Sequence, residues 1–187
     1  MPAPTLIYDR TEADVIARNA KGIYTAEDMN RVESAVGAVA ALLQAAPGEL
    51  EAYGAALDVA ADALFSLPYD PEDYSLTTKT DWQIEHPTAS QLARYLDNVQ
   101  TLTAALPAIY PVLPESMARL DWAGANAIEA AVLVVYDTLQ AEVQRIKGLM
   151  DRAAQAWFFS GDLYAGEIAG DASAPIVGTG LVGSAVI

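Results

Sequence analysis

The longest helical pattern in the chain covers residues 121–159, which read DWAGANAIEAAVLVVYDTLQAEVQRIKGLMDRAAQAWFF. Its apolar side chains recur at intervals of three or four positions, which places them on one face of an α-helix. They are Ile128, Val132, Val135, Leu139, Val143, Ile146, Met150, Ala153 and Trp157. Two successive steps average about 7.25 residues, close to the 7.2 of a straight helix. We therefore expect one long, nearly straight helix.

Threonines that precede an acid or amide by three positions predict three further helix starts, because the two side chains can form a capping box. The pairs are Thr11 with Asp14, Thr25 with Asp28, and Thr88 with Gln91. Apolar spacing then predicts helices over 26–46 and 89–106. Pro47-Gly48 ends the first of these patterns, and a further periodic run covers 50–67. The short connection predicts that 26–46 and 50–67 form an antiparallel pair.

Two segments lack a helical period. Residues 68–88 carry large apolar and aromatic side chains without that spacing, which favours an extended arm or a small hairpin. These side chains are Tyr69, Tyr74, Trp82 and Ile84. The second segment contains Pro107, Pro111 and Pro114. Because proline blocks helix continuation, this segment is predicted to be a rigid crossover between helices.

The carboxyl-terminal residues 168–187 consist of glycine, alanine, serine, valine and similar small residues, with a single charge at Asp171. Such a segment has little to bury and much backbone entropy to lose, so it is not expected to fold by itself. Contact with a neighbouring chain, most simply as an added strand, is the favoured interpretation. The alternative is that it folds back on its own domain. We therefore divide the chain into a helical domain, 1–167, and a tail, 168–187.

Composition excludes several classes of function. The chain has 187 residues, of which 25 are acidic and 10 basic, giving a net charge of −15. This charge repels nucleic acid and anionic membranes. With no cysteine and one histidine, His86, the chain cannot form a disulfide, a cysteine-ligated zinc site or a two-histidine metal motif. We predict no enzyme activity and no catalytic, cofactor-binding or metal-binding residues.

Acidic residues are concentrated between 32 and 78, where no lysine or arginine occurs. This distribution predicts an acidic face that is either solvated or used to bind a basic partner or a cation. Asp70, Glu72 and Asp73 lie within four residues but lack the spacing of an EF-hand. Together with His86 they define the alternative function, a small helical metal-dependent hydrolase or a ligand-binding module.

Aromatic residues near the end of the long helix suggest an interface. Three successive rings, Trp157, Phe158 and Phe159, cannot all lie on one helix face, because neighbouring residues are about 100° apart. Aromatic anchors contribute much of the energy of protein interfaces. The predicted interface residues are Trp82, Trp157, Phe158, Phe159, Leu163, Tyr164, Ile176, Val177, Leu181, Val182, Val186 and Ile187.

Several strings, taken in order, resemble a family of small tail-region structural proteins that bacteriophages and prophages of Gram-positive bacteria encode. They are YDRT at 8–11, GIYTAEDMNRVE at 22–33, KTDW at 79–82, RYLDNV at 94–99, ANAIE at 125–129 and WFFSGDLYAGE at 157–167. The strings extend over nearly the whole chain.

The resemblance implies a virion component that links the baseplate or tail tip to fibres. Its partners would be copies of itself and other tail, baseplate or fibre proteins, with no nucleic acid and no membrane. Such a protein is made in the cytoplasm of the host bacterium and resides in the virion. The expected fold is all-α, a helical bundle of four main helices and a short amino-terminal one. An irregular aromatic arm at 68–88 and an extended carboxyl-terminal tail complete it.

Overall fold

The structure, a computed structural model, describes residues 3–59, 65–82 and 87–168, with side chains as far as Ala156. Within these ranges all regular secondary structure is helical, which confirms the all-α prediction. The helices are α1 (Glu12–Ala17), α2 (Ala26–Ala56), α3 (Ala89–Thr103) and α4 (Trp122–Ile168). Short 3-10 turns occur at Pro71–Tyr74 and Met117–Arg119.

All three predicted capping boxes are present. In each, the threonine side chain accepts a hydrogen bond from the backbone N–H three residues later, and that residue's side chain accepts one from the threonine N–H. The backbone nitrogens of Thr11 and Thr25 lie 2.8 and 2.7 Å from carboxylate oxygens of Asp14 and Asp28. Hydrogen bonds from Asn19 and Thr11 lower the pKa of Asp14 to about 2. The starts of α1, α2 and α3 are therefore determined locally.

Helix α2 continues through Pro47, so the predicted end at residue 46 and the separate helix over 50–67 are both wrong. A proline at position 47 leaves the carbonyl of Leu43 without its usual intrahelical donor. The hydroxyl of Tyr69 donates a hydrogen bond to this carbonyl at 3.0 Å. The helix ends instead after Ala56, where the carbonyl of Gly54 accepts from the backbone N–H of Val59.

Because residues 26–56 form one helix, the antiparallel pair predicted for 26–46 and 50–67 is also wrong. Helix α2 instead lies parallel to α4. Three side-chain contacts between them join residues separated by the same interval, 98 positions. The contacts are Arg31 with Glu129, Glu49 with Lys147, and Tyr53 with Asp151. Because the interval stays constant over more than 20 residues, the two helices stay in register along this length.

The predicted apolar face of the long helix forms one side of the hydrophobic core. Its side chains from Ile128 to Met150 are all buried. They pack against α2 and α3, which contribute Val32, Val36, Val39, Leu43, Leu50, Tyr95, Val99 and Leu102, among others. Alanines such as Ala35 and Ala40 are also buried. The helix itself is longer than predicted, since it extends to Ile168 rather than ending near Phe159.

Of the aromatic arm, 68–88, the structure describes residues 68–82 and 87–88, and these contain no strand; Ile84 lies outside the described residues. The arm crosses α2 in the antiparallel direction, from Tyr69 near Leu43 to Trp82 near Asn30. The backbone N–H of Trp82 donates to Asn30 Oδ1 at 2.8 Å. A Cβ atom on Gly37 would lie 3.3 Å from the hydroxyl of Thr78, so this glycine allows the arm to approach the helix closely. The arm therefore forms hydrogen bonds with side chains of α2, whereas in a hairpin its backbone would bond to a second strand.

We expect Tyr69→Phe to lower the free energy of unfolding by about 1–2 kcal/mol, because it leaves the Leu43 carbonyl without a donor. The loss should be smaller when Pro47→Ala is also present, since an alanine supplies the missing N–H. A double-mutant cycle measured by chemical denaturation tests this coupling. An equal loss in both backgrounds would show that the hydroxyl does not compensate for the proline.

Candidate functional site

The most deeply buried polar feature of the described chain is a group of four charged residues, which we call the charge cluster: Arg10, Asp28, Arg31 and Glu129. Arg10 Nη2 lies 3.0 Å from Asp28 Oδ1 and 2.7 Å from Glu129 Oε1. Arg31 Nη2 contacts the same two oxygens at 2.5 and 3.0 Å. Two guanidinium groups therefore share two carboxylates, and their formal charges cancel.

Burying these charged side chains costs free energy, because they lose their contact with water. Arg10 is 3% exposed, Asp28 4% and Glu129 fully buried, whereas Arg31 reaches the surface with part of its side chain. Burial by itself would raise the pKa of Asp28, but hydrogen bonds from Thr25 and Arg31 outweigh it and lower the pKa. The carboxylate of Asp28 is thus stabilised in its charged form. Removing one member would leave an uncompensated charge in the interior.

The charge cluster also attaches an irregular segment to the bundle. The backbone N–H of Ile7 donates to Glu129 Oε2 at 2.6 Å. Asn126 pairs with the backbone of Arg10 in both directions, accepting from its N–H at 3.0 Å and donating to its carbonyl at 2.8 Å. The Arg10 guanidinium also donates to the carbonyl of Ile7. Residues that precede α1 are thereby held against the start of α4.

Two tyrosines adjoin the cluster. The guanidinium of Arg10 lies 5.2 Å from the ring centre of Tyr24, within the range of a cation–π interaction. The hydroxyls of Tyr24 and Tyr95 are 2.6 Å apart. Burial raises the pKa of both tyrosines, so both stay protonated at neutral pH. They function here as hydrogen-bonding groups within the interior.

A second buried ion pair joins α2, α3 and the aromatic arm. Glu33, which is 1% exposed, lies 2.6 Å from Arg94 Nη2 and accepts from the backbone N–H of Lys79 at 3.0 Å. Arg94 and Asn98 both donate to the carbonyl of Thr77. Glu33 was predicted to belong to an acidic face between 32 and 78. The structure corrects this, because its carboxylate is enclosed by partners.

Trp82 is a core residue of this chain, which corrects its prediction as an interface anchor. It is 5% exposed and packs edge-to-face with Tyr95, their ring centres 6.3 Å apart. The cationic groups of Lys79 and Arg94 lie 5.5 and 6.0 Å from its ring. These contacts bury a tryptophan that the surrounding polar sequence would place at the surface.

The other candidate acidic residues are not assembled into a site. Asp70 caps the adjacent 3-10 turn, accepting from the N–H of Glu72 at 3.0 Å. Glu72 and Asp73 are exposed. No group of three or more residues of the ligating types that could hold a metal ion occurs in the described ranges. His86, the fourth residue of the alternative function, lies outside the described residues.

Most of the predicted interface residues are not described by the structure beyond their backbone. Five of them belong to the last turns of α4, whose side chains are not described. These are Trp157, Phe158, Phe159, Leu163 and Tyr164. The others lie outside the described residues: Ile176, Val177, Leu181, Val182, Val186 and Ile187. Their assignment to an interface stays a prediction.

The buried ion pairs were not identified from the sequence, although a signal was present. Glu129 precedes Val132 by three positions and Tyr136 by seven, so it lies on the apolar face of α4. Glu33 lies in the same way between Met29 and Val36 on α2. A carboxylate at a core position of an amphipathic helix indicates a buried partner.

Comparisons with protein-family models, with curated proteins and with solved structures gave no significant match. Within the described residues, no helix combines the length and the apolar character needed to cross a membrane.

We expect Glu129→Gln to lower the free energy of unfolding by about 3–5 kcal/mol, because it leaves two guanidinium groups to share one carboxylate. Glu142→Gln is the matched control, since Glu142 lies on the same helix and forms a surface pair with Arg145 at 2.7 Å. This control should leave the stability nearly unchanged. Urea denaturation of both variants measures the difference. Equal effects would show that the charge cluster does not stabilise the fold.

Proposed function

We propose that this chain is a non-enzymatic structural protein of a bacteriophage tail or baseplate. In this role it links the tail tip or baseplate to fibres. It assembles with copies of itself and with other tail, baseplate or fibre proteins. It is made in the host bacterial cytoplasm and incorporated into the virion.

The observation that best supports this proposal is that α4 extends past the end of α2. The constant interval of 98 places the last residue of α2, Ala56, level with residue 154 of α4. Helix α4 continues to Ile168, so about 14 residues, or roughly 20 Å, extend past the end of α2. This part of the helix has the sequence of the predicted interface. A helix that extends past its neighbour and carries aromatic residues is suited to contact another subunit.

The buried ion pairs support a structural role in a different way. Arg10, Asp28, Arg31 and Glu129 fall within the strings that carry the resemblance to phage tail proteins, as do Glu33 and Arg94. In the structure their charged groups bind one another or the backbone. Their chemistry is therefore used to hold the helices and the arm in position. This role accounts for the similarity of these strings without a catalytic site.

The length of the helices also fits a connecting component. Helix α4 has 47 residues and is therefore about 70 Å long. Ion pairs and hydrogen bonds fix it to α2 from Glu129 to Asp151, about 33 Å of this length. The result is a rigid element that can hold two attachment points at a fixed separation.

Because Ile168 belongs to α4, the tail is taken from here on as residues 169–187. We expect the purified full chain to form a multimer, and a variant that lacks residues 169–187 to be a monomer with unchanged helical content. Light scattering after size exclusion gives the mass, and circular dichroism gives the helical content. Full-length chain that stays monomeric at the highest soluble concentration would contradict self-assembly. Mass spectrometry of purified particles of the encoding phage tests the virion assignment directly, and absence of the chain from those particles would refute it.

A further inference from the structure

Four exposed apolar side chains lie on α1 and on the segments that flank it, and we call this set the α1 surface. It consists of Tyr8, Val15, Ile16 and Ile23, which are 52%, 42%, 77% and 49% exposed. No residue of α1 is buried. Isolated apolar side chains are common at protein surfaces, but four within 16 residues form a candidate contact surface.

The α1 surface is held in a defined conformation. A Cβ atom on Gly22 would lie 2.0 Å from the carbonyl oxygen of Asp14, so the backbone before Ile23 lies directly against α1. Asn19 donates to the Asp14 carboxylate at 2.7 Å, and Lys21 pairs with Asp9 at 2.6 Å. These contacts keep the segment from Tyr8 to Ile23 together as one unit. A partner would therefore find a preformed surface.

The charge of this segment differs from that of the whole chain. Outside the charge cluster, residues 8–23 contain three acidic side chains, Asp9, Glu12 and Asp14, and two basic ones, Arg18 and Lys21, because Arg10 is buried in the cluster. The chain as a whole carries −15. Copies of so acidic a protein repel one another, and the repulsion is weakest where the local net charge is small. The tail that follows α4 is also nearly neutral, since Asp171 is its single charged residue.

A fully extended tail of the same chain reaches the charge-cluster end of α4 only with its last few residues. The charge cluster fixes Arg10 beside Glu129, near the start of α4. From Glu129 to Ile168 the helix rises about 58 Å. Leu181 follows Ile168 by 13 residues, which span at most about 47 Å when fully extended. If two copies were arranged end to end, by contrast, the carboxyl-terminal end of α4 in one copy would lie next to the α1 surface of the other.

We propose that the α1 surface binds the apolar tail, residues 169–187, of a second copy of this chain. This inference rests on the proposed function, because it names the receiving surface for the predicted assembly. The contact joins two different surfaces, so each copy offers one tail and one α1 surface. Such head-to-tail contacts generate a ring when the rotation closes, or a filament when it does not.

Three variants of the full chain test the proposal. Ile16→Asp places a charge in the α1 surface, whereas deletion of 169–187 removes the tail. Ile109→Asp is the matched control, because Ile109 is an exposed isoleucine (97%) in the proline-containing segment, outside residues 8–23. A charge in an apolar contact should weaken self-association by at least about tenfold. The control should assemble like the unmodified chain. Sedimentation velocity measures the species formed.

An equimolar mixture of the two variants tests the proposed contact most directly. The Ile16→Asp variant and the tail deletion should each be monomeric, and an equimolar mixture should form a dimer that grows no further, because one intact tail meets one intact surface. This dimer would also show that the Ile16→Asp variant is folded. Assembly that is lost on tail deletion but kept with Ile16→Asp would overturn this inference and leave the proposed function standing. A monomeric unmodified chain would overturn both.

Discussion

The charge cluster is the constraint on which the amino-terminal half of the structure depends. It brings together three parts of the chain that are distant in sequence: the segment before α1, the first turn of α2 and the start of α4. Glu129 is fully buried, yet both of its oxygens accept hydrogen bonds. Because a buried carboxylate is tolerated only with such partners, the cluster permits one arrangement of these three parts.

The charge cluster also sets the register of the two long helices, α2 and α4. Arg31 aligns α2 with α4 at one end, and Glu49 and Tyr53 continue the same register toward the other. Parallel neighbours need a long connection, and here the connection contains α3, the aromatic arm and the proline segment. The arm contributes to α2 directly, since Tyr69 supplies the hydrogen bond that Pro47 cannot. The connection is thus part of the packing and not only a link.

The sequence predicts those features that arise from neighbouring residues. Capping boxes and apolar spacing depend on residues a few positions apart, and they located the starts of α1, α2 and α3 and the core face of α4. Features that depend on distant residues were missed. The continuation of α2 past Pro47 is stabilised by the hydroxyl of Tyr69, which lies 26 positions along the chain from its acceptor, the carbonyl of Leu43. The burial of Trp82 and Glu33 depends on Arg94, which pairs with Glu33 across 61 positions. The spacing of neighbouring residues does not indicate which distant side chains will become their partners.

Hydrogen exchange at two backbone amides tests the central claim most directly. Ile7 and Arg10 lie outside regular secondary structure, but their N–H groups donate to Glu129 and Asn126. If the charge cluster holds this segment against α4, these amides should exchange as slowly as those in the middle of α2. Exchange at the rate of an unstructured peptide would show that the segment is not held there, and would contradict the account.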